Sequence, residues 1–273
     1  MKPSIVQLVK MFLLGCVFFA LVTPLLLLLL NSFAHEWRWP QIIPASFSLR
    51  AWSVVFSDPH IWSSIGWTVL IGSMVVCLNL LLGLPAAKAL AYYEFKGKSL
   101  VETFLLLPIL IPSLAIGMGL LLTMIRVGLA DHWAGVVLIH LLPTLPYTIR
   151  ILRAGYENIG AGYEEAARNL GASSWKAFWT ITVPLLFPSL RAVLALTFVI
   201  SLSQYVLTAL IGGGQVVTLA MIYYPYLAGI DRSVTAALSL LFVLLPILLV
   251  CIFELVSHLS RKVVTTNQMR DET

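Results

Sequence analysis

Charge is what this 273-residue sequence has least of: Asp, Glu, Lys and Arg together make up 11% of it, against roughly 25% in soluble domains. Hydrophobic residues make up 60%, which excludes an ordinary water-facing globule. Cysteine is nearly absent as well, at three residues. Cys16, Cys77 and Cys251 fall in three separate apolar stretches with no metal-ligand or redox spacing, and read as small buried hydrophobes. His35, His60, His132, His140 and His258 are scattered without ligand spacing, and no serine or cysteine lies in a nucleophile motif. Two glycine clusters imitate nucleotide loops and fail. Gly97-Lys98-Ser99 would need a glycine where Tyr92 stands, and Gly160-Ala161-Gly162 would need one at Glu165. No metal, cofactor or enzymatic chemistry is expected.

What the sequence does have is long uncharged runs: 11–30, 66–87, 103–125, 133–149, 192–211 and 234–253. Each is close to the roughly 20 residues that cross a hydrocarbon core. Backbone groups in lipid must satisfy one another within a segment, so these runs are helices. Barrel strands would be about 10 residues long and alternate in polarity, so a barrel is excluded. The fold class is an all-α membrane protein with six transmembrane helices. Lys2 and Lys10 precede the first run, and Ser32-Phe33-Ala34 imitates a cleavage site. The run nonetheless exceeds the usual 7 to 15 residues of a signal core, and an uncleaved span is expected. The stretch 216–230, with Tyr223, Tyr224, Pro225 and Tyr226, is too short to cross comfortably. It reads as an outer interfacial or re-entrant segment with tyrosines at headgroup depth.

The net charge of +5 is mostly topology. Threading the spans alternately from an inside N-terminus leaves only Arg38, Arg50, Arg126 and Arg232 outside. The remaining thirteen of the 17 Lys and Arg, from Lys2, Lys10 and Lys88 to Arg261, Lys262 and Arg270, lie inside. That asymmetry puts both termini in the cytoplasm and leaves no need for a nucleic-acid partner.

The inside loop 150–190 is the informative one. Tyr163, Ala166, Ala167 and Leu170 fall at helical spacing on one face, with Glu164 and Arg168 as an i,i+4 pair on the other. Gly171 stops that helix, Ser173 or Ser174 caps a second one, and Pro184 ends it. Trp175, Phe178 and Trp179 share a face of the second helix, which suits the membrane interface.

Glu165-Ala166-Ala167, then Gly171, Ile181, Val183 and Pro184, resemble the E-A-A-x3-G-x9-I-x-L-P signature of permease subunits of binding-protein-dependent ABC importers. Val183 replaces the leucine. Tyr93-Glu94-Phe95-Lys96-Gly97-Lys98 also resembles a loop common in these permeases. The resemblance implies a type I, methionine-permease-like fold with a cytoplasmic coupling-helix loop between spans four and five. Its layout is similar to the polyamine, thiamine and ferric-iron branch. On this reading residues 1–60 form an N-terminal helix and outer loop, 61–260 the permease core and 261–273 a cytoplasmic tail. The implied partners are two cytoplasmic ATP-binding subunits, a second permease chain, the lipid bilayer, and a periplasmic or lipid-tethered solute-binding protein. Tyr163, Glu164, Glu165, Ala166, Ala167, Leu170, Gly171, Ile181 and Pro184 are the expected coupling residues.

Polar residues inside the spans are few, and in lipid they must face protein or water. Asn79 and His140 suit helix-to-helix hydrogen bonds and are also candidates for the pathway wall. Ser201, Ser203, Gln204 and Tyr205 are pathway candidates because this span faces the pore in related permeases. Pro24, Pro85, Pro108, Pro112, Pro143, Pro146 and Pro246 lie within spans and predict bends, most of all in the third and fourth. A stand-alone secondary carrier or channel is the alternative, but the spans hold no Asp, Glu, Lys or Arg to couple ions.

Overall fold

The structure is a computed structural model and describes residues 5–35, 37, 40–229 and 231–271. Lys2, Arg38 and Ile230, which figure in the topology above, lie outside the described residues, as do the side chains of His258, Arg261, Lys262 and Arg270. The helices are α1 (Ile5–Phe33), α2 (Arg50–Ser57), α3 (Pro59–Tyr92), α4 (Lys98–Leu110), α5 (Ser113–Arg126) and α6 (Trp133–Ile159). Then follow α7 (Gly162–Asn169), α8 (Ser174–Ala177), a π-helical turn (Phe178–Thr182), α9 (Val183–Leu202), α10 (Tyr205–Gly212), α11 (Leu219–Leu227) and α12 (Arg232–Asp271).

Among the described residues, five stretches are long and apolar enough to cross a membrane: Val9–Phe33, Pro59–Tyr92, Trp133–Ile159, Ser174–Leu202 and Arg232–Ser257. The third expected span differs. It is broken into α4 and α5, which meet at 102°. Pro112 is the cause: its ring forces the preceding Ile111 out of the helical region, to φ −90° and ψ 132°. The fifth span differs too, because α9 ends at Leu202 and the helix resumes as α10 only after Ser203 and Gln204.

Pro184 does not end a helix as its position suggested. It is the second residue of α9, just after the π-turn, with Thr182 and Val183 before it in helical conformation. The chain reaches it from α8 through the π-turn, so α8, the turn and α9 run on together. The cysteines also differ: Cys16, Cys77 and Cys251 are exposed on the chain's surface. In lipid an apolar side chain has no reason to turn inward.

The chain divides into two compact units, Met1–Trp62 with Ile222–Leu244, and Ser63–Met221 with Leu245–Thr273. In the first, Arg50 grips Asp231 with two hydrogen bonds of 2.8 and 2.9 Å. Ser233 donates to the Ala34 carbonyl at 2.8 Å, and the rings of Trp52 and Phe56 stack 5.6 Å apart. Within the stretch 216–230 the residues Leu219–Leu227 form the short helix α11, and Tyr223 bonds Ser239 at 2.9 Å. In the second unit α6 packs most extensively against α9. Leu152, Tyr156, Leu186, Leu190 and Val193 fill that contact with Ala87 and Leu90 of α3.

Candidate functional site

The loop between α6 and α9 is a built structure. Tyr92, at the end of α3, donates to the carbonyls of Tyr156 and Gly160 at 3.1 and 3.0 Å, which fastens the exit of α6. After Gly160 and Ala161 the chain turns into α7, with Glu164 and Glu165 in the first turn, where the positive end of the helix dipole favours carboxylates. Gly171 has φ +89°, the left-handed region that glycine enters most cheaply. Its N–H donates to Arg168 O at 2.9 Å and the Ala172 N–H to Ala167 O at 3.0 Å. Those two bonds are the Schellman pair that closes a helix end. Ser173 then caps α8, its hydroxyl accepting from the Lys176 N–H at 3.3 Å.

The faces of α7 differ from the helical-wheel expectation in two residues. Ala167 is buried at 8% exposure. Glu164 does not pair outward with Arg168: its Oε2 lies 2.5 Å from Lys88 Nζ of α3, and its Oε1 accepts from the Thr182 hydroxyl at 2.6 Å. Residues 164 and 167 are one helical turn apart, so both face the membrane helices. Burial raises the Glu164 pKa, but the bonds from Lys88 and Thr182, with the Lys88 charge, outweigh it and hold the carboxyl below the ordinary glutamate range. The outward face carries Tyr163 at 60% exposure, Leu170 at 90%, and the exposed Glu165 and Ala166. Trp175 continues it at 71%, its ring 5.5 Å from Trp179. Ile181 lies in the π-turn and is half-buried, and Pro184 is exposed.

The polar residues of the spans separate into two groups. Asn79 of α3 donates to Thr144 Oγ1 of α6 at 2.8 Å. His140, 1% exposed, stands between Ser201 of α9 and Thr208 of α10 at 2.9 and 3.0 Å. Thr148 and Thr197 bond across α6 and α9 at 3.1 Å. These form a buried seam of interhelical bonds, each worth about 0.6 kcal/mol on average in membrane proteins. It takes Asn79, His140 and Ser201 into the interior of the chain. Ser203 is exposed and Gln204 and Tyr205 are half-buried, all three at the break between α9 and α10. The Tyr205 N–H reaches back to Ser203 O at 2.9 Å.

Sequence reading missed Lys88, Thr182, Thr144, Thr148, Thr197 and Thr208. A signal existed for the threonines. His140, Thr144 and Thr148 recur every fourth residue of α6, as do Thr197 and Ser201 of α9, and such stripes mark facing helices. No spacing connects Lys88 with Glu164.

Among the described residues, five membrane-length helices, the bent pair α4 and α5 and the folded loop between α6 and α9 define an integral membrane protein. The chain belongs to the family of binding-protein-dependent transport system inner membrane components, matching it over residues 79–263. A molybdenum transport system permease protein of Haemophilus influenzae is 32% identical over 71% of this chain and 92% of its own length. A molybdate/tungstate transport system permease protein of Thermococcus kodakarensis is 33% identical over 54% of this chain, which spans 59% of that relative. A solved bacterial ABC transporter involved in the import of the acidic polysaccharide alginate has the same fold. It aligns with a TM-score of 0.70 at 19% identity, covering 93% of this chain and 99% of that one. This chain is thus a transport component, a multi-pass permease of the inner membrane.

Proposed function

We propose that the chain lines the solute pathway of an ABC importer, pairs with a second permease chain, and takes its energy from separate ATPase subunits docked on the outward face of α7. The observation that carries the docking is the exposure of Tyr163, Ala166 and Leu170 on a helix fixed at both ends. A linker helix resting on the membrane would not need the Glu164 anchor or the Schellman stop. Exposed apolar side chains on a rigid helix suit a partner surface. The charge asymmetry of the loops supports cytoplasmic termini, and on this reading α7 lies on the side where ATP is. A solute-binding protein delivers from the opposite side.

For the solute we propose a small tetrahedral oxyanion of the molybdate and tungstate class, in place of the polyamine, thiamine or ferric iron that the layout suggested. Two sequence relatives support it through their systems' solutes. The chemistry of the chain agrees with them. The apolar runs offer no carboxylate to hold a cation. At the α9–α10 break Gln204 supplies a neutral amide donor, the Ser203 hydroxyl being turned to the Ile200 carbonyl at 2.9 Å, and the N-terminus of α10 adds a positive dipole end. Asn79, His140 and Ser201 serve on this reading as the frame of the wall, and Ser203, Gln204 and Tyr205 as its surface. Vesicles holding the chain with its ATPase and binding protein should accumulate labelled molybdate when supplied with ATP, and excess tungstate should compete. Accumulation of spermidine, thiamine or ferric ion instead would overturn the solute assignment.

A further inference from the structure

Glu164 is the one residue of α7 whose two carboxylate oxygens reach two different membrane helices. Oε2 holds Lys88, one turn before the end of α3, and Oε1 holds Thr182, the last residue of the π-turn that leads into α9. Its side chain is 17% exposed, while Glu165 beside it is exposed. Shielded, charge-assisted bonds of this kind are stronger than exposed ion pairs, which hold almost nothing. The chain just before α7 is fastened as well, by Tyr92 to the Gly160 carbonyl. A docking helix with slack at its root would absorb a push from a partner. One clamped to two spans has to pass the push on.

We propose that Glu164 is the latch that turns movement of α7 into movement of the spans, drawing α3 through Lys88 and α9 through Thr182. The inference rests on the reading of α7 as the ATPase-docking helix and adds to it a division of labour by face. Tyr163, Ala166 and Leu170 receive the partner; Glu164 transmits. Its grip on Thr182 acts on the π-turn, whose wider hydrogen-bond register makes it the turn of that span most easily rewound.

The test compares two positions in the assembled complex with its ATPase subunits. Cys16, Cys77 and Cys251 are replaced by serine. Spin labels are attached at Asn169→Cys of α7 and Leu81→Cys of α3, both exposed sites, at one labelled chain per complex. Their separation is measured by electron double resonance without nucleotide and after trapping with ATP and vanadate. With the latch intact the two helices move as one body, and the separation is the same in both states. Glu164→Gln should make it differ between the states, Thr182→Val should do so more weakly, and the exchange of Lys88→Glu with Glu164→Lys should restore constancy. A separation that changes in the parent protein, or stays constant in both Glu164→Gln and Thr182→Val, would overturn the latch. Loss of ATPase subunits from Glu164→Gln on purification would also overturn it, since Glu164 would then belong to the docking face. Failure of the docking reading shows separately, as ATPase subunits that remain bound to Ala166→Asp.

Discussion

Asp231 and Glu164 show how single charges are used in a chain that has so few. Each is a carboxylate held by one specific cation, Arg50 for Asp231 and Lys88 for Glu164. Arg50 holds the Asp231 carboxyl below its ordinary pKa, with backbone bonds from Val234 and Ser233 adding to the effect. A lowered pKa contributes stability above the unfolded value of about 3.9 and loses it as pH falls through the folded one. The side chains of this pair are 40% and 38% exposed, so screening leaves at most about 1 kcal/mol. Asp231→Asn should lower thermal stability by that amount or less at pH 7 in a lipid disc. The difference from the parent should vanish on acidification through the carboxylate range; a difference that persists unchanged below it would mean the pair contributes no charge-dependent stability. The pairing was not readable in the sequence, where 181 positions separate Arg50 from Asp231. Partners so distant are set by the fold, and no local periodicity encodes them.

At the scale of elements, helix existence was legible and helix ends were not. Runs of about 20 apolar residues announce crossings, but where a helix stops depends on caps and prolines that act over a few residues. Pro112 breaks its span, while Pro184 sits inside one that runs on from α8, although both are prolines in apolar surroundings. Pro112 follows an extended Ile111, whereas Pro184 follows the π-turn, where Thr182 and Val183 keep a helical backbone. Burial was equally hard to foresee: a wheel drawn for α7 put Ala167 outside, because it could not know that Glu164 faces in. The α6–α9 contact is the element pair that tests packing most cleanly. A side chain on Gly155 would collide with the Ser189 hydroxyl and approach Leu186 within 2.8 Å. In membranes such close approach supplies the attraction that hydrophobic burial supplies in water. Gly155→Val should therefore cost about 1–3 kcal/mol by overpacking, seen as a lower unfolding midpoint in detergent. A midpoint unchanged from the parent would show that α6 and α9 are not pressed together there.

For the whole molecule, class was far more legible than solute. The Glu165-Ala166-Ala167 and Gly171 spacing pointed to the family because several defined residues at fixed offsets are more specific than an amphipathic helix alone requires. On the reading proposed above, solute choice rests on a few neutral groups at a break, and neither composition nor motif reports it. The topology proposed here also belongs to this scale. A reporter active only outside the cytoplasm should be active after Asp58, Asp131 or Arg232 and silent after Gly97, Asn169 or Lys262. An equal signal after Gly97 and Asp131 would make α4 and α5 a re-entrant hairpin instead of a crossing. The docking role of α7 has a sharper test still. Ala166 is exposed, so Ala166→Asp disturbs no internal packing, yet it sets a charge where a partner would have to desolvate it. The direct measurement is to purify the tagged chain gently from membranes and weigh the ATPase subunits that come with it, parent against Ala166→Asp. Equal membrane levels with the ATPase subunits lost from the variant are the expected result. ATPase subunits retained at the parent's ratio, with transport intact, would contradict the docking of α7.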